Sequence, residues 1–228
     1  MLDPYVRPLI DPPLNYVGKR VAAWGISANA VTIAGFIFGL FAILMIGIEQ
    51  YFFGAIMLCI NRKLDGIDGA VARHTQLTDF GGFLDIVCDF IIYSGIVFAF
   101  GIGNPTQLFY AAFLIFSFIG TITSFLAYAI IAAKKQIVSN RRGTKSFYHL
   151  GGICEGTETT FVLILMCLIP HSFHIICLIY GGLCWLTTIG RVYRAWSDFG
   201  SHSLPSANDD SYKNVCTKQA IETESPTP

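Results

Sequence analysis

Apolar positions along this chain form long unbroken blocks instead of the one-sided stripes of soluble helices. Residues 90–133 contain no Asp, Glu, Lys or Arg, which is about enough for two bilayer crossings of roughly 20 residues each. The turn-forming run Gly101-Ile102-Gly103-Asn104-Pro105 divides them. The pattern predicts crossings over residues 30–48, 82–101, 108–132, 159–169 and 175–190, the fifth helix starting before Thr159. The apolar block at 51–60 is too short alone, so its helix is expected to continue into the polar stretch that follows. The expected fold is therefore all-α, a polytopic membrane protein with six transmembrane helices over residues 28–197. Residues 1–27 mix Pro, basic and apolar side chains, which predicts an N-terminal interfacial helix. The polar, Pro-containing segment 198–228 reads as a disordered cytoplasmic tail.

Composition agrees with that reading. Of the 228 residues, 54% are hydrophobic and only 13% charged, against about 25% charge in soluble domains. A formal net charge of zero hides an asymmetry. With six crossings, all 15 Lys and Arg fall on one side, and the opposite loops carry only Glu49. By the positive-inside rule both termini are cytoplasmic, and the basic face lies against anionic membrane lipids. No basic segment precedes a continuous apolar run at the N-terminus, so no cleaved signal peptide is expected. The seven Cys contain no Cys-x-x-Cys pair and read as reduced, small apolar residues. Nothing points to a nucleic-acid partner.

The chemistry concentrates between residues 63 and 89. If the second helix runs past Ile60, Asp65 and Asp68 are i,i+3 neighbours, and Asp85 and Asp89 are i,i+4 neighbours at the start of the third. Such pairs have Cβ atoms about 5–6 Å apart, and a short loop lets all four carboxylates converge at the membrane boundary. An Asp inserted at a helix centre costs about 2.5–3.5 kcal/mol, less near the end, and clustered like charges repel. Divalent cations relieve both penalties, and oxygen-only ligation favours Mg²⁺, Mn²⁺ or Ca²⁺ over zinc. Two ions about 3.5–4 Å apart would clamp the attacking and leaving oxygens of a phosphoryl transfer. Gly66, Gly69, Ala72, Gly81 and Gly82 leave nearby helix surface bare, so a nucleotide diphosphate can approach the backbone; helix–helix packing is the competing explanation for such small residues.

The string Asp65-x-x-Asp68-Gly69-x-x-Ala72-Arg73, followed by Gly81-x-x-x-Asp85-x-x-x-Asp89, resembles the signature of the CDP-alcohol phosphatidyltransferases. The resemblance extends over residues 5–195, departs at no motif position, and looks like a bacterial inner-membrane branch. It implies that Asp65, Asp68, Asp85 and Asp89 form the metal site for Mg²⁺ or Mn²⁺, with Asp89 also the catalytic base. It also implies that Gly69, Arg73 and Gly81 border the CDP moiety. The substrates it implies are CDP-diacylglycerol and a small polar acceptor, with CMP released; it implies a homodimer as well. At the start of the first membrane helix, Ser27 or Asn29 is an N-cap candidate, and Asn29 and Thr32 are candidates for lining that CDP site.

The acceptor side is less defined. Lys145, with Arg141 and Arg142, is either positive-inside charge or a grip for a phosphorylated polyol. Glu155 and Glu158 either pair with Arg191 or face an acceptor amine or polyol. Three other functions compete: transfer from a different CDP-alcohol donor to a lipid acceptor, a divalent-cation transporter, and an inactive membrane scaffold. A transporter predicts acids spread through the membrane depth, and a silent scaffold predicts a lost motif aspartate; the sequence shows neither.

Overall fold

The computed structural model of the chain describes residues 3–134 and 152–200, with side chains from Ile10 onward. Every regular element in them is helical: α1 (Asp3–Ala23), α2 (Ala28–Gly47), α3 (Tyr51–His74), α4 (Asp79–Gly103), α5 (Leu108–Lys134), α6 (Gly156–Leu168) and α7 (Phe173–Phe199). Short 3-10 turns at Pro105–Gln107 and Pro170–Ser172 join α4 to α5 and α6 to α7. The chain divides into a main unit ending at Arg191 and a second unit beginning at Val192. Within the second unit the described part is the end of α7, where Tyr193 and Trp196 lie 6.1 Å apart. Lys145 and most of the expected tail lie outside the described residues.

Local chemistry explains the helix ends. The Ser27 side chain accepts from the Ala30 amide at 3.3 Å and caps α2. Thr78 does the same for α4, accepting from Gly81 N at 3.0 Å. That cap starts α4 at Asp79, earlier than the hydrophobic pattern alone predicts. At the far end Asn104 caps the Pro105 turn, its carboxamide oxygen accepting from Thr106 N at 3.1 Å.

Four segments are long and apolar enough to cross a membrane: Ala28–Gly47, Asp79–Gly103, Pro105–Lys134 and Pro170–Phe199. Two of the six expected crossings fall short of that test. The apolar part of α3 ends where its polar, functional half begins, and α6 is an apolar helix of only 13 residues. The bundle wears apolar side chains outward, as a lipid-facing surface requires: Ile33, Ile37, Leu40, Phe41 and Leu44 of α2 are all exposed.

Inside, α2 packs on both α3 and α4, and α1 lies along α3. Small residues permit these close approaches. A Cβ on Gly35 would meet the Leu64 Cβ at 3.2 Å, and one on Gly18 of α1 would meet Ala70 at 2.5 Å. The core continues through Ile92, Ile96 and Phe100 of α4 to Leu163 of α6 and Phe173 of α7. Phe100 stacks on Tyr51 at 5.1 Å and on Phe173 at 4.5 Å, tying α3, α4 and α7 together at the end remote from the aspartates.

Candidate metal centre

The polar half of α3 and the first turns of α4 both pack on α2, and each contributes a pair of aspartates at helical spacing. One carboxylate oxygen from each of Asp65, Asp68 and Asp85 lies within 4.8 Å of the others. Asp68 is 5% exposed, and its Oδ2 is buried with no hydrogen-bond partner. A buried carboxylate oxygen left unpaired is costly, and the oxygen-only donor set suits a hard divalent ion. The three residues fit a divalent ion.

Asp89 adjoins this cluster through a side-chain hydrogen bond with Asp65. Arg62 Nη2 donates to Asp89 Oδ1 at 2.7 Å, and the Tyr93 hydroxyl donates to Asp89 Oδ2 at 3.4 Å. Arg62 also donates to Tyr93 OH at 2.7 Å through Nη1, and through Nε to Asn61 Oδ1 at 2.8 Å. Asn61 completes the chain by donating to the Gly35 carbonyl of α2 at 2.9 Å. Asp65 lies 3.7 Å from Arg62, a looser approach.

Several expected nucleotide-site residues gather here. Thr32 lines the cleft that holds Asp65, Asp68 and Asp89, and its hydroxyl donates to the Ala28 carbonyl at 3.1 Å. Asn29 reaches the bare backbone of Gly81, where an added Cβ would stand 3.1 Å from its Oδ1. Gly69 and Arg73 share a face of α3, and Arg73 is fixed to α1 by donating to Asn15 Oδ1 at 3.0 Å.

The acceptor candidates lie to one side. The Gly152 amide donates to Glu155 Oε1 at 3.1 Å, and Glu158 sits in the first turn of α6. Arg191 is 8% exposed and braces α7 to α5: its Nη1 donates to the Thr121 carbonyl at 2.8 Å, and it lies 5.5 Å from the Phe125 ring. The start of α6 reaches the aspartates through Tyr93, whose hydroxyl would be 3.9 Å from a Cβ on Gly156.

Asn61, Arg62 and Tyr93 are absent from the sequence-derived set. Spacing held a clue: Arg62 precedes Asp65 by three residues and Tyr93 follows Asp89 by four, so each shares a helix face with a motif acid.

Comparison with known proteins identifies the family. The model of the CDP-alcohol phosphatidyltransferase family matches residues 25–194. The chain is 43% identical to the inner membrane protein YnjF of Escherichia coli, over 87% of this chain and 96% of that protein. It is 30% identical to the archaetidylinositol phosphate synthase of Pyrococcus horikoshii, over 83% and 94% of the two chains. Its fold resembles that of Mycobacterium tuberculosis phosphatidylinositol phosphate synthase (PgsA1) solved with CDP-DAG bound, with a TM-score of 0.64 and 18% identity over 84% of this chain and 98% of the other. The chain belongs to the CDP-alcohol phosphatidyltransferase family, and is a membrane phosphotransferase of phospholipid biosynthesis that draws on a CDP-linked alcohol.

Proposed function

We propose that the protein transfers a phosphatidyl group from CDP-diacylglycerol to the hydroxyl of a small polar acceptor. The observation that carries this reading is the trio of carboxylates within 4.8 Å, one with an unpartnered buried oxygen, inside the family-matched segment. Asp65, Asp68 and Asp85 would hold Mg²⁺ or Mn²⁺, two ions in all. The bound ions would neutralise the pyrophosphate and the leaving phosphate. Asn29, Thr32, Gly69, Arg73 and Gly81 border the cytidine diphosphate, their bare backbone and polar groups setting its position. Asp89, held by the Arg62 guanidinium, takes the acceptor proton. The acceptor oxygen then bonds to the β-phosphorus, the bond from that phosphorus to the CMP oxygen breaks, and CMP leaves.

The acceptor side is assigned to Lys145, Glu155, Glu158 and Arg191. One relative is named an archaetidylinositol phosphate synthase, which makes a phosphorylated polyol the first acceptor to try. For topology, we take α3 and α6 as the second and fifth of six crossings. At ~1.5 Å per residue, the 24 residues of α3 cover about 36 Å, whereas the 13 of α6 need flanking segments to span. Both termini and the aspartates then face the cytoplasm of a bacterial inner membrane. There α1 lies in the interface and the protein works as a homodimer.

The test is CMP release from CDP-diacylglycerol by purified protein with Mg²⁺ or Mn²⁺. The acceptor panel holds inositol phosphate, glycerol 3-phosphate, glycerol, serine, ethanolamine and inositol. Release with one acceptor, stopped by a chelator and restored by metal, is the expected result. Release that survives metal removal overturns the mechanism, and activity only with another CDP-alcohol overturns the donor.

A further inference from the structure

Two cysteines far apart in sequence meet where the chain enters α6. Cys154 lies just ahead of that helix, and its amide donates to the Thr187 hydroxyl of α7 at 3.2 Å. Cys184 precedes Thr187 by one helical turn, so both lie on the same face of α7. The bond to Thr187 therefore sets Cys154 against Cys184, and the two thiols are hydrogen-bonded to each other. Both are buried, at 8% and 1% exposure. The carboxylate site makes no use of either.

A thiol buried among apolar groups is inert. Cys154 has different company. Besides the Cys184 thiol, the hydroxyls of Thr187 and Tyr180 hydrogen-bond its side chain, and Tyr180 is tied in turn to the Thr159 hydroxyl of α6 at 2.8 Å. These contacts, Cys184 first, hold the Cys154 thiol below the usual thiol range against the opposing effect of burial. A thiol with thiolate character is the nucleophile of thiol redox chemistry, and a second thiol in contact with it can resolve the oxidised product.

We propose that Cys154 and Cys184 form an oxidisable dithiol that a membrane-soluble organic hydroperoxide closes to a disulfide. The Cys154 sulfur attacks the terminal peroxide oxygen, an S–O bond forms, the O–O bond breaks, and the alcohol leaves with the thiol proton. The Cys184 sulfur then attacks the Cys154 sulfur, an S–S bond forms, the S–O bond breaks, and water leaves with the second thiol proton. Two thiols are oxidised and one hydroperoxide is reduced. The product fastens the turn from Gly152 to Glu155, where the Gly152 amide donates to Glu155 Oε1, to α7. The dithiol site does not depend on the phosphatidyl-transfer reading.

The experiment treats the purified full chain, reduced and then freed of reductant, with cumene hydroperoxide. Remaining thiols are alkylated with N-ethylmaleimide after denaturation and counted by intact mass, and linked peptides are mapped without reductant. The expected result is two fewer alkylated thiols than in untreated protein, a peptide linked through Cys154 and Cys184, and recovery of both thiols with dithiothreitol. Cys184→Ser should leave a Cys154 sulfenic acid that dimedone traps, and Cys154→Ser should keep every remaining thiol. Cys59→Ser should still form the link.

Treated wild type that keeps all seven thiols overturns the proposal and leaves the pair as core filling. A link through any other cysteine also overturns it, as does Cys184→Ser with no sulfenic acid at Cys154. If neither serine variant at the pair folds, the linked peptide of the wild type decides.

Discussion

Replacing Asp68 by Asn should stabilise the metal-free protein and abolish its response to metal. The carboxylate oxygens of Asp65, Asp68 and Asp85 lie within 4.8 Å of one another, so Asp68 takes part in two of three like-charge contacts. At 4.8 Å and an effective dielectric constant near 20, each contact between ionised carboxylates costs about 3–4 kcal/mol. Proton uptake relieves part of this, so a gain of about 1–3 kcal/mol is expected from the neutral, equal-sized side chain. For a chain of this size each kcal/mol raises Tm by about 2–4 °C. The wild type should show the opposite balance. An ion present at a hundred times its Kd adds about 2.7 kcal/mol, a gain closed to the Asp68→Asn variant. Thermal unfolding in one detergent, with chelator and then with saturating Mn²⁺, measures both effects. A lower Tm for metal-free Asp68→Asn, or a Mn²⁺-induced rise equal to that of the wild type, would refute the assignment of Asp68 as a buried ligand.

Asp89→Asn should separate chemistry from metal binding: turnover falls by about 10²–10⁴, while the Mn²⁺-induced rise in Tm persists. Loss of that rise would move Asp89 into the ligand set. Gly81→Ala puts a methyl 2.9 Å from Thr78 Oγ1 and 3.1 Å from Asn29 Oδ1, displacing the α4 cap and Asn29 together. Initial rates should show KM for CDP-diacylglycerol raised about tenfold, equivalent to ~1.4 kcal/mol, with kcat little changed. Asn61→Ala strands the Gly35 carbonyl and frees Arg62 Nε, costing about 2–3 kcal/mol of stability. A Tm within about 1 °C of the wild type would show that solvent or a neighbour replaces those bonds.

The carboxylate pairs were legible from sequence because helical spacing is a local property: residues three and four apart share a face wherever the helix goes. Helix-length apolar blocks were legible for the same reason, and α2, α4, α5 and α7 follow them closely. The roles of Asn61, Arg62 and Tyr93 were not legible. Their partners come from other helices, at sequence separations of 26, 27 and 31 residues, and an arginine at a membrane boundary already has a sufficient reason to be there as cytoplasmic charge. Arg191 shows the same blindness. Its bond to the Thr121 carbonyl spans 70 residues, so the sequence offered Glu155 and Glu158 as partners while the brace to α5 stayed hidden. The α3 and α6 crossings were harder to read because one breaks its apolar run with the functional residues and the other is short.

The bond from the Asn61 carboxamide to the Gly35 carbonyl bears on how this bundle can move. It is a register pin between two neighbouring helices. In a medium without water, sliding α3 along α2 by one turn, ~5.4 Å, would leave both groups stranded. Piston motion of the carboxylate-bearing helix is therefore the expensive mode. Rotation of α1 away from Gly66 and Ala70 leaves the pin intact but breaks the Arg73–Asn15 hydrogen bonds. The α2–α3 pair therefore moves as one body, and α1 is tied to it only through α3.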